Sequence, residues 1–175
     1  LLAALVGGGL QGHAVANDWR SDRLLYERGV RLYPRCLRMQ YNLGQLHLDQ
    51  GETSAAIRHL ETALKLRHDD RAALTLLIQA HTREQRCQDV DPWVQRGLAL
   101  KRVPVGLRKA TLDWAITCRR FKLAWRVGQT LSRADGPWPR KVFVAAIAAG
   151  DQAGATRWAR RFVDSPWRSG PWVAA

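Results

Sequence analysis

The chain lacks most of what an enzyme's sequence displays. No nucleophile and base stand at a recognisable spacing, and no glycine-rich phosphate loop is present. The five histidines, at 13, 47, 59, 68 and 81, include no pair four residues apart, the helical spacing at which two imidazoles share a metal. The three cysteines, Cys36, Cys87 and Cys118, are odd in number, far apart and without a CxxC pair. They match neither a zinc pattern nor a disulfide framework, so each is expected to pack as a small buried residue, and the redox compartment stays open. No catalytic residue, cofactor or metal ligand is therefore assigned. Lysine is also scarce: five of the 28 basic residues, against 15 acidic ones. The net charge of +13 is carried by arginine. No charged side chain occurs in residues 1–16, and position 1 is not Met; that opening in the middle of an apolar run reads as a fragment or a processed product.

What is present is a period. In Leu37–His68, Leu43, Gly44 and His47 share one side of a first helix, while Ala56, Leu60 and Ala63 share one side of a second. Gly51-Glu52-Thr53 separates them, and small residues at 44, 56 and 63 permit close approach of the backbones. The next 34 residues, Arg71–Pro104, repeat the pattern: Leu77, His81, Val94, Gly97 and Leu98 match Leu43, His47, Leu60, Ala63 and Leu64. Counting back instead, Gly29 stands where Ala63 stands, which makes Ser21–Tyr33 the second helix of an earlier unit. Two weaker pairs follow, Val105–Arg133 and Trp138–Val163, the last slipped by about three residues from a strict 34-residue period. Turns are expected near 34–37, 50–53, 68–71, 85–89, 103–105, 119–121, 134–138 and 150–152. Asp69-Asp70 reads as a helix cap, and His47 and His81 as residues packed between helices.

The order YNLG, G, AI-x-x-L-x-x-AL resembles the tetratricopeptide (TPR) repeat, a 34-residue helix–turn–helix unit. His68 stands where the repeat's terminal proline is expected. The resemblance implies an all-α, TPR-type superhelical array of about four and a half repeats, preceded by an apolar helix end. The organisation expected is an apolar segment over 1–18, clear repeats over 19–104, degenerate repeats over 105–164 and an irregular tail over 165–175. In that family four positions of each first helix face a concave groove that takes a protein or peptide. Carried over, they are Arg38, Tyr41, Gln45 and Leu48, then Ala72, Thr75, Gln79 and Thr82, then Gly106, Lys109, Asp113 and Ile116. Arg38, Tyr41, Gln45, Leu48, Thr75, Gln79, Thr82 and Lys109 are the binding residues it implies. Arg38 and Asn42 suit the family's carboxylate-clamp subtype, but Ala72 and Leu76 stand where that clamp needs cations, which argues against chaperone-tail binding.

Two regions fall outside the repeat pattern. Leu1–Ala16 is shorter than the roughly 20 apolar residues a spanning helix needs. It is read as the end of such a helix, with a signal-peptide core and the first helix of a soluble repeat as alternatives; Trp19-Arg20 suits an interfacial anchor. The junction from Asn17 and Trp19 through Leu24, Gly29 and Pro34 into the first full repeat is similar to transmembrane-and-TPR O-mannosyltransferases and their bacterial relatives. This implies a membrane-associated protein whose repeats lie outside the bilayer, on the periplasmic side, with catalytic residues elsewhere. A soluble or periplasmic TPR adaptor with no attached enzyme is the alternative. The last 71 residues hold 13 basic and 4 acidic side chains and six of the eight tryptophans. They read as a solvated arginine face over a tryptophan-packed core; an anionic membrane surface and a nucleic acid are the alternatives, the latter without a recognisable motif.

Overall fold

The computed structural model of the chain describes residues 22–131 and 139–163. They form helices α1 (Asp22–Leu32), α2 (Leu37–Asp49), α3 (Thr53–Leu66), α4 (Arg71–Arg83), α5 (Asp91–Leu98), α6 (Val105–Thr117), α7 (Phe121–Gly128), α8 (Pro139–Ala148) and α9 (Gln152–Val163). No strand occurs among the described residues. The expected turns fall where the periodicity put them, apart from 134–138, which lies outside the described residues. Pro92 sits in the first turn of α5, where its missing N–H costs nothing. The described residues fall into two compact units that divide inside α4, between Ala73 and Leu74.

In the first unit α1 packs on α2 and α2 on α3. Leu43, Gly44 and His47 are all buried on α2, and Ala56, Leu60 and Ala63 are fully buried on α3. The small residues do what their size allows. A Cβ placed on Gly44 would meet Leu60 Cγ at 2.9 Å and the Ala56 carbonyl oxygen at 3.4 Å, so a larger residue there would force the helices apart. Asp70 caps α4 as expected, its carboxylate accepting from the Ala73 amide at 2.9 Å.

In the second unit α5, α6, α7, α8 and α9 each pack on the next. The core is built from Leu77, Ile78, Val90, Val94, Leu107, Leu112 and Trp114, all fully buried, and continues through Ala124, Val142, Ala145 and Ala155. Gly128 on α7 faces Val142 on α8 so closely that a Cβ would meet it at 2.7 Å.

The turn between the helices of each pair repeats a single backbone device. The amides of Glu52, Arg86, Arg120 and Asp151 donate to carbonyls five residues back, those of His47, His81, Ala115 and Ala146, at 2.7–3.0 Å. One residue before each donor the chain enters the left-handed region, at Gly51 (φ 80°), Gln85 (56°), Arg119 (55°) and Gly150 (84°). This is the Schellman close of a helix, and it consumes end carbonyls that would otherwise stay unpaired. Residues 51, 85 and 119 are 34 apart, and 150 follows after 31, so the three-residue slip belongs to the last turn.

Ala56 packs at the centre of the α2–α3 crossing with no exposed surface. Ala56→Leu should cost about 1–3 kcal/mol by overpacking. Chemical denaturation reads this, and an unchanged midpoint would mean that the crossing is looser than the distances state.

Candidate functional site

The residues expected to face a partner do not share one fate. In the first unit Arg38 and Gln45 are exposed on α2, and Tyr41 between them is half-buried. Desolvation, helped by the nearby carboxylates of Asp70 and Asp49, pushes the Tyr41 hydroxyl above the usual phenol range. It therefore stays a neutral hydrogen-bonding group at any physiological pH. Leu48 corrects the expectation: it is only 2% exposed and belongs to the core with Leu43 and His47. The 3.6-residue stripe that buries 43, 44 and 47 carries 48 with it.

In the second unit Gln79 is exposed, and Thr75, Thr82 and Lys109 are half-buried. The Thr82 hydroxyl donates to the Ile78 carbonyl at 2.7 Å, so it is committed to its own helix. A Cβ on Gly106 would lie 3.8 Å from the Thr75 methyl, which places the starts of α4 and α6 side by side. Asp113, three residues from the end of that face, is paired with Lys141.

The first unit also holds a polar network that helical spacing did not predict. His47 and His59 stack across the α2–α3 hairpin, ring centroids 5.3 Å apart and planes 9° from parallel. His47 Nδ1 donates to Glu52 at 2.6 Å. Glu52 also accepts from Arg23 at 2.9 Å, and Arg23 holds Glu27 and Gln50 as well. The Arg23 hydrogen bond first, then that from His47, holds the Glu52 carboxyl below its ordinary value. On the other side, His59 Nδ1 donates to Gln40 Oε1 at 2.8 Å, and Gln40 Nε2 donates to the Pro34 carbonyl at 2.8 Å. The amide orientation thus fixes the proton of neutral His59 on Nδ1. Among the described residues no cluster of histidine, cysteine and carboxylate groups is arranged to hold a metal.

The cysteines overturn the expectation of three buried thiols. Cys87 and Cys118 form a disulfide with 31 residues of separation, and Cys36 is free and half-exposed. Cys87 follows the α4–α5 turn and Cys118 precedes the α6–α7 turn, so the bond ties the turns of two successive pairs. In a stacked array the neighbours across such a bond lie about one repeat apart.

A profile of the tetratricopeptide repeat family matches residues 15–57 and, overlapping them, 41–89. These residues are tetratricopeptide repeats. The helical pairs beyond residue 89 are of the same TPR-like form, with the same turn closed by the same hydrogen bond. No helix among the described residues is long and apolar enough to cross a membrane; Leu1–Ala16 lies outside them.

Burial first, then the charges of His47 and Arg58, depress the His59 pKa, against a smaller opposing pull from Glu27. An imidazole whose folded pKa is depressed supports the fold above its unfolded value of about 6.5. That support is lost as pH falls from there through the folded value. The unfolding midpoint should therefore drop between pH 7.5 and 5.5, and less steeply in His59→Asn, which keeps a donor for Gln40 without titrating. Parallel pH profiles for the two proteins would remove His59 from this role.

Proposed function

We propose that this chain is a protein- or peptide-binding TPR module, held next to a membrane in an oxidising compartment. The observation that carries the binding half is the repeat itself. Paired helices bury one face against each other and leave the exposed first-helix positions Arg38, Gln45 and Gln79 unused by the fold. In the first unit Tyr41, on the same helix as Arg38 and Gln45, adds a half-covered hydroxyl. In each unit these exposed first-helix positions suit an extended or helical peptide bearing polar groups, because Arg38, Gln45 and Gln79 can pair without first breaking a core contact.

The compartment is supported by Cys87–Cys118, since disulfides persist where glutathione and thioredoxin do not reduce them. The membrane half rests on the charge-free run Leu1–Ala16, followed by Trp19-Arg20. Placement of the module C-terminal to a membrane-embedded glycosyltransferase-like part rests on the junction resemblance, with the repeats on the periplasmic side. In this reading the chain supplies recognition and the membrane part supplies chemistry.

Photo-crosslinking residues placed at Gln45 and Gln79 should give partner adducts in cells, whereas the same residue at Arg58, exposed on the second helix of the hairpin, should not. Adducts of equal yield from Arg58 would sink the first-helix face. In the same preparations, alkylation under denaturing, non-reducing conditions should label one thiol per chain, Cys36; labelling of three would remove the oxidising compartment.

A further inference from the structure

The second unit carries a cationic cleft that neither the repeat pattern nor the first-helix face accounts for. It is an open depression where the α6–α7 turn and the start of α7 meet the end of α8, with room for about 580 Å³. A volume of this size is within the range of small-ligand sites. Arg119, Arg120, Lys122 and Arg126 line it over an apolar floor that includes Phe121 and Leu123.

The four cations are not equivalent. Arg120 pairs with Asp91, and its guanidinium lies 5.6 Å from the centre of the Trp114 ring. It is held in place and its charge is answered. Arg119, Lys122 and Arg126 are exposed, and no carboxylate among the described residues pairs with any of them. Three like charges in one cleft repel one another, a cost that a bound anion relieves. Arg119 is also fixed in the left-handed region, where an arginine has no intrinsic preference to be. Its backbone is set by the Arg120 amide reaching back to the Ala115 carbonyl, and by Cys118 in the disulfide beside it. The cleft is thus built on a rigid turn.

We propose that this cleft binds a phosphomonoester group. One carboxylate would answer one of the three open charges. A phosphomonoester carries about −1.5 to −2 at neutral pH and three strong acceptor oxygens, which matches several convergent donors. The first amides of α7 add to the field, because only from Ala124 does the helix pair its own N–H groups, to the Arg120 carbonyl. The apolar floor leaves room for the carbon part of the ligand. The group could be presented by a lipid headgroup or by a free phosphorylated molecule, and the site is separate from the first-helix face proposed above for a peptide.

The test uses the full chain, inorganic phosphate at constant ionic strength, and vesicles of phosphatidylcholine with or without phosphatidic acid. Wild type should bind phosphate, or float with phosphatidic-acid vesicles and not with phosphatidylcholine alone. Binding of phosphate marks a free ligand as sufficient, and binding of the vesicles alone marks a lipid source. The triple variant Arg119→Gln, Lys122→Gln, Arg126→Gln should weaken whichever interaction is seen by at least about tenfold. The control triple Arg31→Gln, Arg35→Gln, Lys65→Gln removes the same charge from exposed positions in the first unit and should change it less than about twofold. Far-UV dichroism checks each fold, and Lys122→Glu alone gives a second reading on a single exposed side chain. Binding to neither probe, or an equal loss in the control, overturns the proposal.

Discussion

One hydrogen bond, repeated four times, governs how this chain is assembled. At each turn an amide reaches back five residues, which stops the first helix, reverses the chain and starts the second helix in register. At three of the four turns the residue that donates is also placed where its side chain reaches the preceding helical pair; at the other, Arg86 pairs with its neighbour Glu84. Glu52 reaches Arg23 and Arg120 reaches Asp91, both across 29 residues, with the signs of the charges exchanged. Asp151, in the slipped last turn, accepts from the Trp125 indole at 2.9 Å instead. The turn therefore does two jobs. It satisfies backbone groups that a helix end leaves open, and it ties one pair to the one before through whatever complementary side chain is present.

This dual role explains what was legible in the sequence. Helix faces, turn positions and the three-residue slip were readable, because each is written in local period and in small residues such as Gly44, Ala56 and Ala63. The polar links were not, because they obey the geometry of the hairpin and the stack. His47 and His59 are twelve residues apart, a spacing without meaning on one helix. Folded about the turn near residue 53, they become antiparallel neighbours and stack. Cys87 and Cys118 show the same on a larger scale. Their separation of 31 residues is nearly one repeat, the distance at which successive units place equivalent turns together. A search for metal-like or small-domain spacings passes over both.

The candidate binding face was legible only in part, and Leu48 shows why. Family register assigns four groove positions per first helix, but register is an average over many sequences. In this chain the apolar stripe of α2 is wide enough to take Leu43, Gly44, His47 and Leu48 together into the core. Burial of a leucine is worth about 1.5–3 kcal/mol, far more than the preference of a surface position for one polar residue over another. Where a family position and a hydrophobic stripe compete for a leucine, the stripe wins. Arg38 and Gln45 face no such competition and remain outside.

In the described part of the basic, tryptophan-rich end of the chain, aromatic and cationic residues take different places. Trp114 is fully buried, Trp158 nearly so, and Trp125 meets Trp158 edge-on at 6.0 Å while its N–H is held by Asp151. Trp114 and Trp158, so buried, present no open face on which a base could stack, and stacking is the usual contribution of aromatics to single-stranded nucleic acid binding. Arginine is used in packing as well: Arg120 lies against Trp114, as Arg96, earlier in the chain, lies 5.1 Å from the centre of the Trp93 ring. Such cation–π contacts are worth about 0.5–1 kcal/mol at exposed sites and fix the guanidinium's position. The coincidence of arginine and tryptophan in the sequence is therefore partly structural, aromatic inside and cation above it. Part of the charge that packing does not consume, among the described residues, is the open set at Arg119, Lys122 and Arg126, on the turn anchored by the disulfide and the Asp91 pair.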